Sequence, residues 1–206
     1  MTTPVWALNT RAKNALVGPK GELFYKLECW QYTGTFKVRA AITHLMQLNP
    51  EQLDYGITAV SAGNHAIATS YAAHHFNTSA KVLMPEFANP RRIEKCKAYG
   101  AEVVFTKTMH ELFDQAALIQ QQEGRTLIHP FEGPLVTLGT ATLGAELCQQ
   151  IPNLDAIIIA IGGGGLIGGC ALAIKQLQPN CQVFGVEPEG ANTMSLRFQT
   201  GKPEKI

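Results

Sequence analysis

Residues 156–174 run for 19 positions without a charged side chain, and near their centre stand four consecutive glycines, Gly162, Gly163, Gly164 and Gly165. Few folds accommodate such a stretch. A continuous apolar helix of that length would suit a bilayer, but each interior glycine weakens a helix by roughly 0.5–1 kcal/mol relative to alanine, and four in a row would break it. The pattern instead predicts a buried strand, a glycine loop and a buried helix. Packing seldom requires four glycines in succession, because each costs conformational entropy. A loop without Cβ atoms, set at a helix N-terminus, can turn several N–H groups toward one anion.

The rest of the chain repeats the strand-then-helix alternation. Apolar, β-branched-rich runs at 57–60, 81–84, 102–105, 156–161 and 182–186 predict strands. Between them, helical spacing covers 37–48, 64–76, 90–99, 110–123, 139–150 and 165–178, with a further helix near 193–199. Short continuous runs read as parallel strands buried on both faces, so the fold class is α/β with mainly parallel sheets. The 206 residues are 46% hydrophobic, which excludes intrinsic disorder, and only 16% charged. A net charge of +1 supplies no basic field, so neither nucleic acid nor a membrane is expected as partner. Cys29, Cys96, Cys148, Cys170 and Cys181 include no CxxC pair, and no metal site or disulfide framework is expected. A start without a signal-peptide core fits the cytoplasm. His74, His75, His110 and His129 have no companion ligands and read as structural.

Three segments carry chemistry. Lys37 opens a helix just after Thr33, Gly34 and Thr35, where the helix dipole disfavours a cation, so an anionic cofactor would give it a reason to be there. A desolvated lysine amine is also a nucleophile suited to a Schiff base. Ser61, Ala62, Gly63, Asn64 and His65 follow a strand and open the next helix, a place for a carboxylate or phosphate or simply a capped helix start. The third segment is the glycine loop. It has a rival reading: Gly163, Gly165 and Gly168 form a GxGxxG, and Glu187 ends the next strand as a ribose-binding acid would, which suits a dinucleotide oxidoreductase.

Taken in order, these segments resemble one family. Lys26, Leu27, Glu28, Gln31 and the run from Thr33 to Lys37 are similar to the lysine motif of the pyridoxal-phosphate-dependent threonine/serine dehydratases, fold-type II enzymes. Ser61 to Ala66 resembles their substrate loop, and Gly162 to Leu166 their phosphate loop. Thr3-Pro4-Val5, Tyr99 to Val103, Ile128-His129-Pro130-Phe131 and Gly185 to Glu189 match as well.

The resemblance implies two three-layer domains with mainly parallel sheets. A small one covers 54–129; a large, incomplete one covers 1–53 and 130–206. Pyridoxal 5'-phosphate would be held by Lys37 as the Schiff-base lysine. Asn64 would meet the ring oxygen, Phe36 would lie near the ring, and Gly162, Gly163, Gly164, Gly165 and Leu166 would bind the phosphate. Ser61, Asn64 and His65 would hold the substrate carboxylate. The implied reaction dehydrates and deaminates L-threonine or L-serine to a 2-oxo acid and ammonia in a homo-oligomer. Ala62 stands where the family's racemases carry a serine, so dehydration is expected over racemisation. Gly139-Thr140-Ala141-Thr142 and Arg39-Ala40-Ala41 also depart from the usual pattern. The family continues beyond the stop at Ile206, so the resemblance also implies a weak or inactive enzyme from these 206 residues alone.

Overall fold

The structure of the chain, a computed structural model, describes residues 1–202. The stop at Ile206 and the side chain of His110 lie outside the described residues.

Strand β1 (Val5–Ala7), helix α1 (Arg11–Val17) and strand β2 (Phe24–Lys26) form the entry, with β1 and β2 paired antiparallel. Helix α2 (Lys37–Leu45) follows, then helix α3 (Pro50–Tyr55). Asn49 starts α3 with a capping box: its Oδ1 accepts from Gln52 N, and its own N–H donates to Gln52 Oε1.

Strand β3 (Ile57–Val60), helix α4 (Asn64–His75), strand β4 (Ala80–Pro85), helix α5 (Pro90–Ala98), strand β5 (Glu102–Thr106), helix α6 (Met109–Glu123) and strand β6 (Thr126–Leu127) build a parallel sheet in the order β5-β4-β3-β6. The strand order explains the layers. The crossovers through α4 and α5 step one way, and the one through α6 returns to the far side of β3. A right-handed connection then puts α6 on the opposite face. Side chains of Ile57, Ala59, Val82 and Met84 accordingly pack with Ala66, Ile67 and Cys96 on one face, while Val60 and Leu83 meet Leu112 and Ala116 on the other.

Helix α7 (Pro134–Gln150), strand β7 (Ala156–Ala160), helix α8 (Gly165–Leu177), strand β8 (Gln182–Val186) and helix α9 (Thr193–Thr200) complete the described chain. Parallel β7 and β8 bury Ile159 against Cys170 and Ile174 of α8, while Ile158 and Phe184 are exposed on the sheet. Helix α7 lies between α2 and α8. A Cβ at Gly139 would stand 2.5 Å from Ala40 Cα, so the α2–α7 contact requires a glycine there. The helix starts at Pro134, earlier than the expected 139, because proline suits a first turn and Gly139 serves a close approach inside the helix.

The α/β class, the strand–helix alternation and the parallel sheets agree with expectation; the β1–β2 pair, α1, α3 and β6 are additions, and β7 and β8, expected to be buried on both faces, each leave one face exposed. All five cysteines are free. Among the described residues, no helix is long and apolar enough to cross a membrane.

Candidate active site

In an open parallel sheet, ligands bind beyond the carboxyl ends of the strands, where the strand order reverses. Here that point lies between β3 and β6, whose C-terminal ends lead into residues 61–64 and 128–131.

The lysine loop is held by its own polar groups. Gln31 accepts from Tyr32 N through Oε1 and donates to Met1 O through Nε2. Thr33 and Gly34 both take positive φ, +66° and +78°, turning the chain sharply. Thr35 Oγ1 then accepts from Lys37 N at 3.2 Å, at the start of α2. The Lys37 ammonium donates to Pro130 O at 2.6 Å and stands 5.2 Å from the centroid of the Phe36 ring. Burial lowers its pKa from the ordinary 10.5. Phe36 and Leu166 pack against the same buried group of Leu143, Ile159, Cys170 and Ile174, which ties the lysine loop to the glycine loop.

After β3, Ser61 Oγ accepts from Gly63 N at 3.0 Å. Asn64 is exposed at the first residue of α4, and among the described residues its amide makes no hydrogen bond. His65 turns the other way. Its ring is 3% exposed and reaches Ile128 O at 2.8 Å through Nε2, which must be the donor because a carbonyl only accepts. Among the described residues Nδ1 is buried without a partner, and burial pulls the imidazole pKa down to about 4. What His65 leaves free for a ligand is its backbone N–H in the first turn of α4.

In the glycine loop, Gly164 adopts φ +83°. Among the described residues, no hydrogen bond engages the N–H groups of Gly162 to Leu166; the first helical bond runs from Gly168 N to Gly164 O. A Cβ at Gly162 would meet nothing within 4 Å, whereas one at Gly163 would overlap the Phe131 ring. The loop therefore has an open side and a floor.

Segment 128–131 joins the three loops, a role that sequence motifs alone did not give it. The dinucleotide reading loses its acid: Glu187 accepts from Met194 N, Ser195 N and Ser195 Oγ, capping α9. Gly168 of the formal GxGxxG faces open space, while the tightly packed glycine is Gly169.

A phosphorylated aldehyde fits these residues. Free N–H groups at a helix start suit its phosphate, a half-buried amine of lowered pKa suits its carbonyl carbon, and an unengaged amide suits its ring oxygen.

The profile of the family described as "Pyridoxal-phosphate dependent enzyme" matches residues 2–206. The phenylserine dehydratase of Ralstonia pickettii is 49% identical over 88% of this chain and 56% of its own length. The L-threonine ammonia-lyase of Thermotoga maritima is 35% identical over 90% of this chain and 47% of its own. The structure of maize serine racemase superposes on all of this chain and 63% of the racemase, with a TM-score of 0.93 and 33% identity. The chain thus spans about half to two-thirds of the length of these relatives.

Proposed function

The chain belongs to the pyridoxal-phosphate-dependent enzyme family, and from that premise we propose that it dehydrates and deaminates a 3-hydroxy-L-amino acid, L-threonine or L-serine, to the 2-oxo acid and ammonia. The observation that carries this reading is the setting of Lys37: a desolvated amine opening α2, linked through 130–131 to a glycine loop with free N–H groups. When bound, pyridoxal phosphate supplies the electron sink that makes Cα–H cleavage accessible.

The chain's own residues divide the remaining work. The N–H groups of Gly162, Gly163, Gly164, Gly165 and Leu166 would hold the phosphate at the start of α8, and Asn64 would orient the ring oxygen. Phe36 borders the site. Ser61, Asn64 and the backbone N–H of His65 face the substrate carboxylate at the start of α4. With a substrate bound, the Lys37 amine, its pKa lowered by burial, would take the α-proton at Nζ. Loss of the β-hydroxyl as water and hydrolytic release of ammonia then give the keto acid. Ala62 carries no transferable proton, so return of a proton to the opposite face is disfavoured, which supports lyase over racemase chemistry. The relative that is 49% identical acts on phenylserine, and an aryl group at Cβ belongs to the candidate substrates.

We further read 54–129 as one unit and 1–53 with 130–206 as another, the site lying between them. The parallel sheet of β3 to β6 falls wholly within the first. Exposed Ile158, Phe184 and Val186 suit a homo-oligomer, and five free cysteines suit a reducing cytoplasm.

The test incubates the chain and pyridoxal phosphate with L-threonine, L-serine and L-3-phenylserine, measuring keto acid and ammonia. Equimolar release from at least one supports the proposal. Conversion to the D-amino acid without ammonia would replace it with racemisation.

A further inference from the structure

The four residues after β6 touch all three loops. Ile128 O accepts from His65 Nε2 at 2.8 Å, and two residues on, Pro130 O accepts from Lys37 Nζ at 2.6 Å. The Phe131 ring lies under Gly163, and its carbonyl oxygen would stand 2.7 Å from a Cβ at Gly165. His129 tightens the turn, its Nδ1 accepting from Phe131 N at 3.3 Å and Glu132 N at 2.8 Å.

We propose that His65 is a positioning residue: by donating from Nε2 to Ile128 O across the β3–β6 switch point, it fixes segment 128–131 where Pro130 O receives the Lys37 amine and Phe131 supports the glycine loop. The inference rests on the reading of Lys37 as the cofactor lysine, but the geometry it invokes belongs to the cofactor-free chain.

Packing alone does not account for this ring. It is buried in α4 with Ala66, Ile67 and Ala68, and among the described residues its Nδ1 has no partner. An apolar side chain would fill the same space without that desolvation cost, so the Nε2 donor is what the ring adds. Its low pKa keeps it neutral near neutral pH, where the Ile128 carbonyl selects the tautomer with the proton on Nε2. Among the described residues, the charge of Lys37 bears on His65 and on His129 of the segment, both lowered below the ordinary histidine value by burial; Glu132, 3.9 Å from His129 Nε2, acts the other way on that ring, and His44 of α2 bears on both imidazoles and is lowered too. With these three neutral, burial governs the titration of Lys37.

The experiment labels the cofactor-free chain with acetic anhydride across a pH series and follows the Lys37 peptide by mass spectrometry, in wild type, His65→Gln and His65→Asn. Glutamine places its amide nitrogen near the Nε2 position, whereas asparagine places it near Nδ1. Wild type and H65Q should titrate Lys37 below the ordinary 10.5, and H65N should titrate it at higher pH. Pyridoxal phosphate, added to separate unacetylated samples, should attach to Lys37 about 10²-fold more slowly in H65N, the scale of a misplacement near 1 Å. A merely structural role would lower the stability of both variants without separating their Lys37 titrations. A folded H65N with the wild-type titration, or an H65Q that behaves as H65N should, overturns the proposal. If H65N does not fold, Phe131→Leu loosens the segment from its other end, and an unmoved Lys37 titration there overturns it as well. Attachment of pyridoxal phosphate to a lysine other than Lys37 would instead remove the functional reading and leave this titration as the test of the segment.

Discussion

Arg39 of α2 and Glu146 of α7 are 107 residues apart in the chain and 3.0 Å apart in space. The guanidinium also forks onto Glu28, Nε to Oε2 at 2.8 Å and Nη2 to Oε1 at 2.7 Å. Glu146 in turn receives Thr3 N and the Lys26 ammonium, and Lys26 donates further to Thr3 O and Gln150 Oε1. Two cations and two carboxylates thus neutralise one another two residues beyond Lys37, so the network sets the angle at which α2 presents its lysine. Arginine suits the position because its planar fork serves two carboxylates at once.

The network should make the fold acid-sensitive. Hydrogen bonds from Arg39 and Lys26, opposed by burial, hold the Glu146 carboxyl at about 2 against an ordinary 4.5. A pKa depressed on folding stabilises fully above the unfolded value and loses that contribution as pH falls toward the folded one. Urea unfolding followed between pH 7 and pH 2 should show stability falling below about pH 4.5. Glu146→Gln, which leaves Arg39 to Glu28 alone and Lys26 without its carboxylate, should lose about 1–3 kcal/mol at pH 7 and flatten that pH dependence.

Two neighbouring glycines should separate fold from cofactor. A Cβ at Gly162 meets nothing within 4 Å, whereas one at Gly163 overlaps Phe131. Gly162→Ala should unfold at the wild-type denaturant midpoint yet bind pyridoxal phosphate more weakly, because the methyl enters the open side of the phosphate loop. Gly163→Ala should lose both affinity and stability, the latter by about 1–3 kcal/mol for overpacking. Fluorescence titration with the cofactor and denaturant melts on both variants check the pair.

The strands were legible because short apolar, β-branched runs mark them: β3 and β4 are buried on both faces as such runs suggest, whereas β8 matches its expected range and β7 ends one residue early with Ile158 and Phe184 exposed. Close approaches were less legible. Gly139 looked like a helix start because a glycine in sequence does not say whether it ends a helix or lets another backbone come near, here Ala40. The three loops stood out through residue types that bind anions. The direction of His65 did not, since only the fold brings Ile128 O to its ring. Glu187 was ambiguous for the same reason: an acid at a strand end can hold a ribose or cap a helix, and α9 decides it. Short β1 and β2 carry no periodicity long enough to read.

The Ala62 argument predicts a reaction ratio. With L-serine, the chain should form pyruvate and ammonia with little D-serine, and Ala62→Ser, which adds a transferable proton beside Ser61 and Gly63, should raise the D-serine to pyruvate ratio. Chiral chromatography of the amino acid together with a lactate-dehydrogenase assay of pyruvate measures both products. Substantial D-serine from the unaltered sequence would remove Ala62 as the determinant.

The central claim is that the Lys37 amine, half-buried beside Pro130 O, is the group that takes the cofactor. The most direct measurement adds pyridoxal phosphate, reduces with borohydride, digests the chain and maps the modified peptide by mass spectrometry. The account predicts one pyridoxyl group per chain, on Lys37, and none after Lys37→Ala. A stoichiometric label on any other lysine, or no label on a folded chain, would contradict it.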